Sequence, residues 1–165
     1  PADVLMIGSN YDSTIQSPPF FREHIMPSLV KYGERLHQRG KFLLTHTDGE
    51  NKGLLDLYVA SQFDIADSIC PAPMTKLSLQ EIRAAFNGQI TIWGGIPSIC
   101  FLESSMTQYE FERYLDEAFE SIGDGTRFIV SIADTTPPEA KFDRIKALIA
   151  ATKQFGPVPK AESRP

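Results

Sequence analysis

His46 and Asp48 stand two residues apart at the end of the apolar run over residues 42–45, and Glu50 and Asn51 follow at once. An imidazole beside a carboxylate can hold a divalent cation, since zinc takes nitrogen and sulfur and accepts carboxylate oxygen. The same pair could instead hydrogen-bond a bound substrate or the neighbouring loops. Both readings stay open at this point. Similar polar tips end other apolar runs: Asn10 and Asp12, Asp67 and Ser68, Ser98, then Ser131 and Asp134. Trp93 could stack on a flat ligand or pack beneath Gly94 and Gly95.

An apolar run that stops in polar side chains reads as a buried strand delivering groups to its carboxyl end. Five such strands are expected, near residues 4–8, 42–46, 65–70, 90–94 and 128–133. Helical segments separate them. Pro18 and Pro19 open a helix from about residue 20 to 38, which Pro27 should break or kink. A second helix is expected over residues 52–62. A third is capped at Ser78, with Glu81 at capping-box spacing, and ends at Gly88. Two more cover about 108–122 and 139–155. Strand–helix alternation of this kind predicts an α/β fold with a parallel sheet and right-handed crossovers, whose site lies at the carboxyl ends of the strands. GSNYDS after the first strand lacks the spacing of a dinucleotide fingerprint.

The bulk properties narrow the partners. A chain of 165 residues with net charge -5 is a poor match for nucleic acid or an anionic membrane. No apolar run approaches the ~20 residues of a membrane span. Cys70 and Cys100 lie in apolar, strand-like runs and read as reduced, buried thiols of a cytoplasmic protein. The cluster Glu110, Glu112, Asp116, Glu117 and Glu120 reads as a solvated helix face. His24 and His37 are expected in partly exposed structural roles on the first long helix. The chain opens on Pro1 rather than Met, which reads as a piece of something longer or a processed product.

HTDG at 46–49, WGGIPS at 93–98, PPFFREHIMPSL at 18–29 and FIVSIADTTPPEAKFDRIKAL at 128–148 together resemble the uroporphyrinogen decarboxylase superfamily. That superfamily includes the decarboxylase of haem (porphyrin) biosynthesis, a lyase, and the cobamide-dependent methyltransferases, all on a TIM-type (β/α)8 barrel. The resemblance implies a partial barrel of about five βα units, the carboxyl-terminal portion, over residues 1–155. A flexible tail over 156–165 would follow. Among the methyltransferases a His-x-Cys and a later cysteine bind zinc. Here His46 is retained, Asp48 stands at the Cys place, and residues 131–136 hold Asp134 but no cysteine.

The implied catalytic set is therefore His46, Asp48 and Asp134, with His46 and Asp48 as ligands of zinc or another divalent metal. Asn10, Asp12, Asp67, Ser68, Trp93 and Ser131 would bind substrate, and a corrinoid on a partner protein would donate the methyl group. The decarboxylases are a weaker match, because they carry a histidine before the final Thr-Pro turn and this chain has none there. Their porphyrinogen also wants a basic cleft, and these tips are acidic. A non-catalytic module that binds a partner is the competing class. An open sheet of five barrel strands would expose apolar residues, Leu5, Leu43, Ile92 and Ile129 being the expected ones. It would need cover from a second copy or from the missing barrel segment.

Overall fold

The computed structural model describes residues 1–8 and 10–158. Five strands form one sheet in the order β1-β2-β3-β4-β5, every neighbouring pair parallel. They are β1 Val4–Met6, β2 Phe42–His46, β3 Ile65–Ile69, β4 Thr91–Pro97 and β5 Phe128–Ala133. Between and after them lie α1 Pro18–Phe20, α2 Met26–His37, α3 Leu55–Ala60, α4 Leu79–Phe86, α5 Gln108–Ile122 and α6 Phe142–Phe155. The sheet is a partial barrel: among the described residues its first and last strands are both open edges.

Pro27 does not break its helix. A π-helical stretch, Phe21–Ile25, joins α1 to α2, and the Met26 N–H reaches the Phe21 carbonyl. The wider turn places Pro27, which has no N–H to donate, in the first turn of α2, where none is needed. Ser78 and Glu81 form the expected capping box on α4, which ends with Asn87 in the left-handed conformation one residue before Gly88. Thr107 and Glu110 form a second box on α5. Two helices are shorter than the sequence suggests. α3 spans only Leu55–Ala60, and α6 starts at Phe142 rather than near 139 because residues 137–140 close a separate turn, Ala140 N–H to Pro137 O at 3.0 Å.

The core lies between sheet and helices. Leu43, Ala66 and Ile92 are each at most 1% exposed and pack with Phe21, Leu29 and Tyr58. A second cluster, around Ile96, Phe101, Phe111 and Leu148, joins β4 to α5 and α6. Arg144 of α6 is 1% exposed and donates to the carbonyls of Cys100 (2.7 Å), Leu102 (3.0 Å) and Met106 (2.8 Å) and to Gln108 Oε1 (3.2 Å). Four acceptors satisfy a buried cation that has no carboxylate partner among the described residues, and they tie α6 to the segment after β4.

Two expectations are corrected here. Leu5, Leu43 and Ile92 lie on the helix side of the sheet, not the open one. The open face carries Val4, Met6, Phe42, Trp93 and Ile129, all exposed, so Ile129 alone of the four was placed correctly. Cys70 follows β3, and Cys100 lies in a 3-10 turn, Ser98–Phe101, rather than in a strand; both are buried, free thiols. His24 and His37 are exposed, His24 tilted against Phe20 and His37 paired with Asp64 at 2.8 Å. Residues 156–158 follow α6 without regular structure. The rest of the expected tail, 159–165, lies outside the described residues.

Candidate functional site at the strand carboxyl ends

Alternation along β2 sends Phe42, Leu44 and His46 to the open face and Leu43 and Thr45 under the helices. His46 stands in register with Asp67 of β3, and its Nδ1 lies 2.7 Å from Asp67 Oδ2. Its Nε2 faces Asp134, just past β5, with Oδ1 at 3.8 Å. That distance is too long for a hydrogen bond. Two ligands on one ion, with bonds of about 2.1 Å each, can span it. Asp48 completes the group: one ligand atom each from His46, Asp48 and Asp134 lie within 4.8 Å of one another.

Burial raises the Asp48 carboxyl above the usual carboxylate range, and the negative charge of Asp134 adds to this, while His46 partly offsets it. Asn10 Nδ2 donates to Asp48 Oδ2 at 3.0 Å. Asp12 has a different task. Its carboxylate accepts from the Thr14 hydroxyl, from Thr14 N at 2.8 Å and from Glu50 N at 3.1 Å, and the Thr14 bond is the main reason its pKa is lowered. Asp12 thus staples the loop after β1 to the loop after β2. Glu50, only 9% exposed, accepts from Lys52 N at 2.9 Å and Lys76 N at 3.0 Å, and so ties in the loop after β3.

The Ser68 hydroxyl accepts from Asp134 N at 3.1 Å. Trp93 is half-exposed on the open face, in register with Asp67. Ser131 bonds the Ile132 carbonyl at 3.0 Å and lies outside the ligand group. Ser98 is buried, 3.9 Å from the Met74 sulfur.

A cleft of about 220 Å³ opens beside Asp48, lined also by Asp12, Gly49, Glu50, Cys70, Met74 and Thr75. A larger hollow of about 460 Å³ lies between α5 and α6, among Phe119, Phe155, Asp116 and Glu120, away from the strand ends. The smaller one adjoins the chemistry. The sequence reads Cys70 only as a buried thiol and does not mark Met74, although Cys70 directly follows β3 and the strand-end rule points to it. Burial pushes the Cys70 thiol up to about 12, helped by Asp48 nearby, so it is not a thiolate at neutral pH.

The fold and the sequence each have relatives. A methyltransferase from Methanosarcina mazei aligns with a TM-score of 0.68 at 19% identity, over 93% of this chain and 42% of that one. The chain therefore spans less than half of that protein's length. At this identity the likeness speaks for the fold alone, and the fold is of the TIM-barrel type. No curated protein matches the sequence. The profile described as "Uroporphyrinogen decarboxylase (URO-D)" matches residues 2–155, nearly the whole chain, and the chain belongs to that family.

Proposed function

We propose that this chain is the site-bearing part of an enzyme that moves a methyl group between a corrinoid on a partner protein and a small acceptor, with a divalent metal at His46, Asp48 and Asp134. One observation carries the reading. Three ligand-type groups from the ends of two non-adjacent strands converge within 4.8 Å.

The donor set is one imidazole and two carboxylates, which suits manganese, iron or zinc and lacks the thiolates that would select zinc. The raised Asp48 pKa fits as well, because a cation would relieve the repulsion from Asp134 that helps cause it. A bound metal would supply a Lewis acid that lowers the pKa of an acceptor thiol or water. The chain's own residues do the rest. Asn10 holds Asp48 in place. Asp12 fixes the loops that form the cleft. Trp93 and Ser131, on the open face, are left to meet the acceptor.

The cleft beside Asp48 carries Asp12 and Glu50 and, among the described residues, no basic side chain, which disfavours a polycarboxylate porphyrinogen. Among the described residues no helix is long and apolar enough to cross a membrane. We assign the protein to the cytoplasm on its two buried free thiols. Its partners would be small molecules and a corrinoid carrier rather than nucleic acid or a membrane. A second copy, or further barrel units, would cover the open face.

Calorimetric titration with Mn²⁺ and Zn²⁺, and anomalous scattering from soaked crystals, test the site. Both ions should bind at His46, Asp48 and Asp134. If neither binds at millimolar concentration, these groups serve only as hydrogen-bonding residues and the metal reading is wrong.

A further inference from the structure

β3 supplies none of the three proposed ligands, yet its residues 67 and 68 touch the support of all three. The Asp67 carboxylate meets His46 Nδ1 at 2.7 Å. The Asp67 carbonyl accepts from both Thr47 N and Thr47 Oγ1, each at 2.8 Å, and Thr47 is the residue between His46 and Asp48. The Ser68 hydroxyl accepts from Asp134 N at 3.1 Å. We infer that Asp67 and Ser68 are the positioning residues of the site, setting His46, Asp48 and Asp134 without ligating. The inference rests on the metal site proposed above.

The local backbone explains how two neighbours serve both sides. Regular alternation would send Ser68 under the helices, on the opposite side from Asp67. Instead the register with β4 shifts between Asp67 and Ile69, and Ser68 has a φ of 62°. The bulge turns its hydroxyl toward the strand ends, where it reaches past β4 to Asp134. β4 leaves room there because it carries Gly94. A Cβ at Gly94, whose φ is 133°, would meet Ile69 O at 2.9 Å and Ile69 N at 3.0 Å, and so would push the bulge away.

Asp67 also settles which imidazole nitrogen is free. A carboxylate only accepts, so His46 Nδ1 carries the proton and Nε2 presents its lone pair toward Asp134 and Asp48. Carboxylate partners of this kind fix the tautomer and orientation of ligating histidines. Without Asp67 the ring is free to rotate or to protonate at Nε2, the wrong nitrogen.

The test combines a readout that needs no metal with one that does. In the metal-free chain, long-range 1H–15N spectra in mildly alkaline buffer should show His46 protonated at Nδ1, and Asp67→Ala should abolish that preference. Titration with Mn²⁺ should then weaken about 10–100-fold in Asp67→Ala and in Ser68→Ala. Asp67→Asn, which still accepts but lacks the charge, should fall between. Ser68→Gly keeps the positive φ and loses the hydroxyl, so it should weaken binding as Ser68→Ala does. Wild-type His46 protonated at Nε2, or full affinity in both Asp67→Ala and Ser68→Ala, would overturn the inference. That spectrum also serves if Asp67→Ala fails to fold. If the wild type binds no Mn²⁺ but shows the Nδ1 proton, the metal reading fails while the hold of Asp67 on His46 stands.

Discussion

The two faces of the sheet are built from the same strands and nearly the same residue types, yet they do opposite things. On the helix side, Leu43 and Ile92 are fully buried. On the open side, one residue away along each strand, Phe42 is 50% and Trp93 39% exposed. Strands of a parallel sheet are apolar on both faces because both are normally covered. Here the chain's own helices cover one face only. The open face also carries His46 and Asp67, so stability is concentrated on one side of the sheet and chemistry on the other.

That separation predicts a contrast between neighbours. Leu43 packs against the helix layer, with its Cδ2 3.8 Å from where a Cβ on Gly33 would sit. Leu43→Ala should cost ~2–5 kcal/mol. Phe42→Ala, one residue along on the open face, should cost less than ~1 kcal/mol. Urea melts of the two variants measure this directly. Equal losses would mean that the faces do not differ in what covers them.

The second contrast reverses the first. His46→Ala on the open face should leave unfolding within ~1 kcal/mol of wild type. It should weaken Mn²⁺ binding on the order of 100-fold, or about 2.7 kcal/mol. A variant that unfolds easily yet binds metal normally would dissolve the division between the faces.

The sequence was informative where local rules govern. Apolar runs with polar tips located five strands, and Ser78 with Glu81 announced a helix start that the structure contains. The strand-end rule places His46, Asp48 and Asp134 among the polar tips, the family resemblance narrows the tips to these three, and they do lie together. What stayed hidden depends on non-local geometry. Period-two alternation tells which residues share a face but not which face the helices cover, so Leu5, Leu43 and Ile92 were assigned to the wrong side. Pro27 reads locally as a breaker, and only the π turn before it removes the conflict. The role of Ser68 needs a bulge and a strand two places away, neither of which its neighbours in sequence reveal.

A smaller effect tests the electrostatics of the site. Asp48 is held above the usual carboxylate range by burial and by Asp134. The folded protein therefore binds this proton more tightly than the unfolded chain does. Protonated Asp48 favours folding below the unfolded pKa of about 3.9, and that advantage disappears as pH rises through the folded value. At neutral pH the charge is a cost. Asp48→Asn should raise the melting temperature of the metal-free protein at pH 7 by no more than ~2–4 °C, since Asp48 is only partly buried. The gain should vanish in acid below the carboxylate range, where both states are protonated. A lower melting temperature at pH 7 would mean that the Asn10 bond outweighs the charge.

The smallest effect on folding should have the clearest effect on association. Val4, Met6, Trp93 and Ile129 expose apolar surface on one face, and β1 and β5 leave their outer edges unpaired. Both features promote association. The chain expressed by itself should therefore sediment as a dimer, the simplest symmetric way to cover the face. Met6→Lys and Ile129→Lys replace exposed side chains and touch no part of the helix-side core, so each should change stability by less than ~0.5 kcal/mol. Each should nevertheless shift the chain toward monomer, because burying a lysine ammonium at the contact is costly. Co-expression with the remaining units of a family barrel offers the alternative cover, and in that case the dimer should give way to a one-to-one complex. A wild-type chain that stays monomeric at high concentration, binds no apolar dye and is indifferent to both lysines would show that the face is not a contact surface at all.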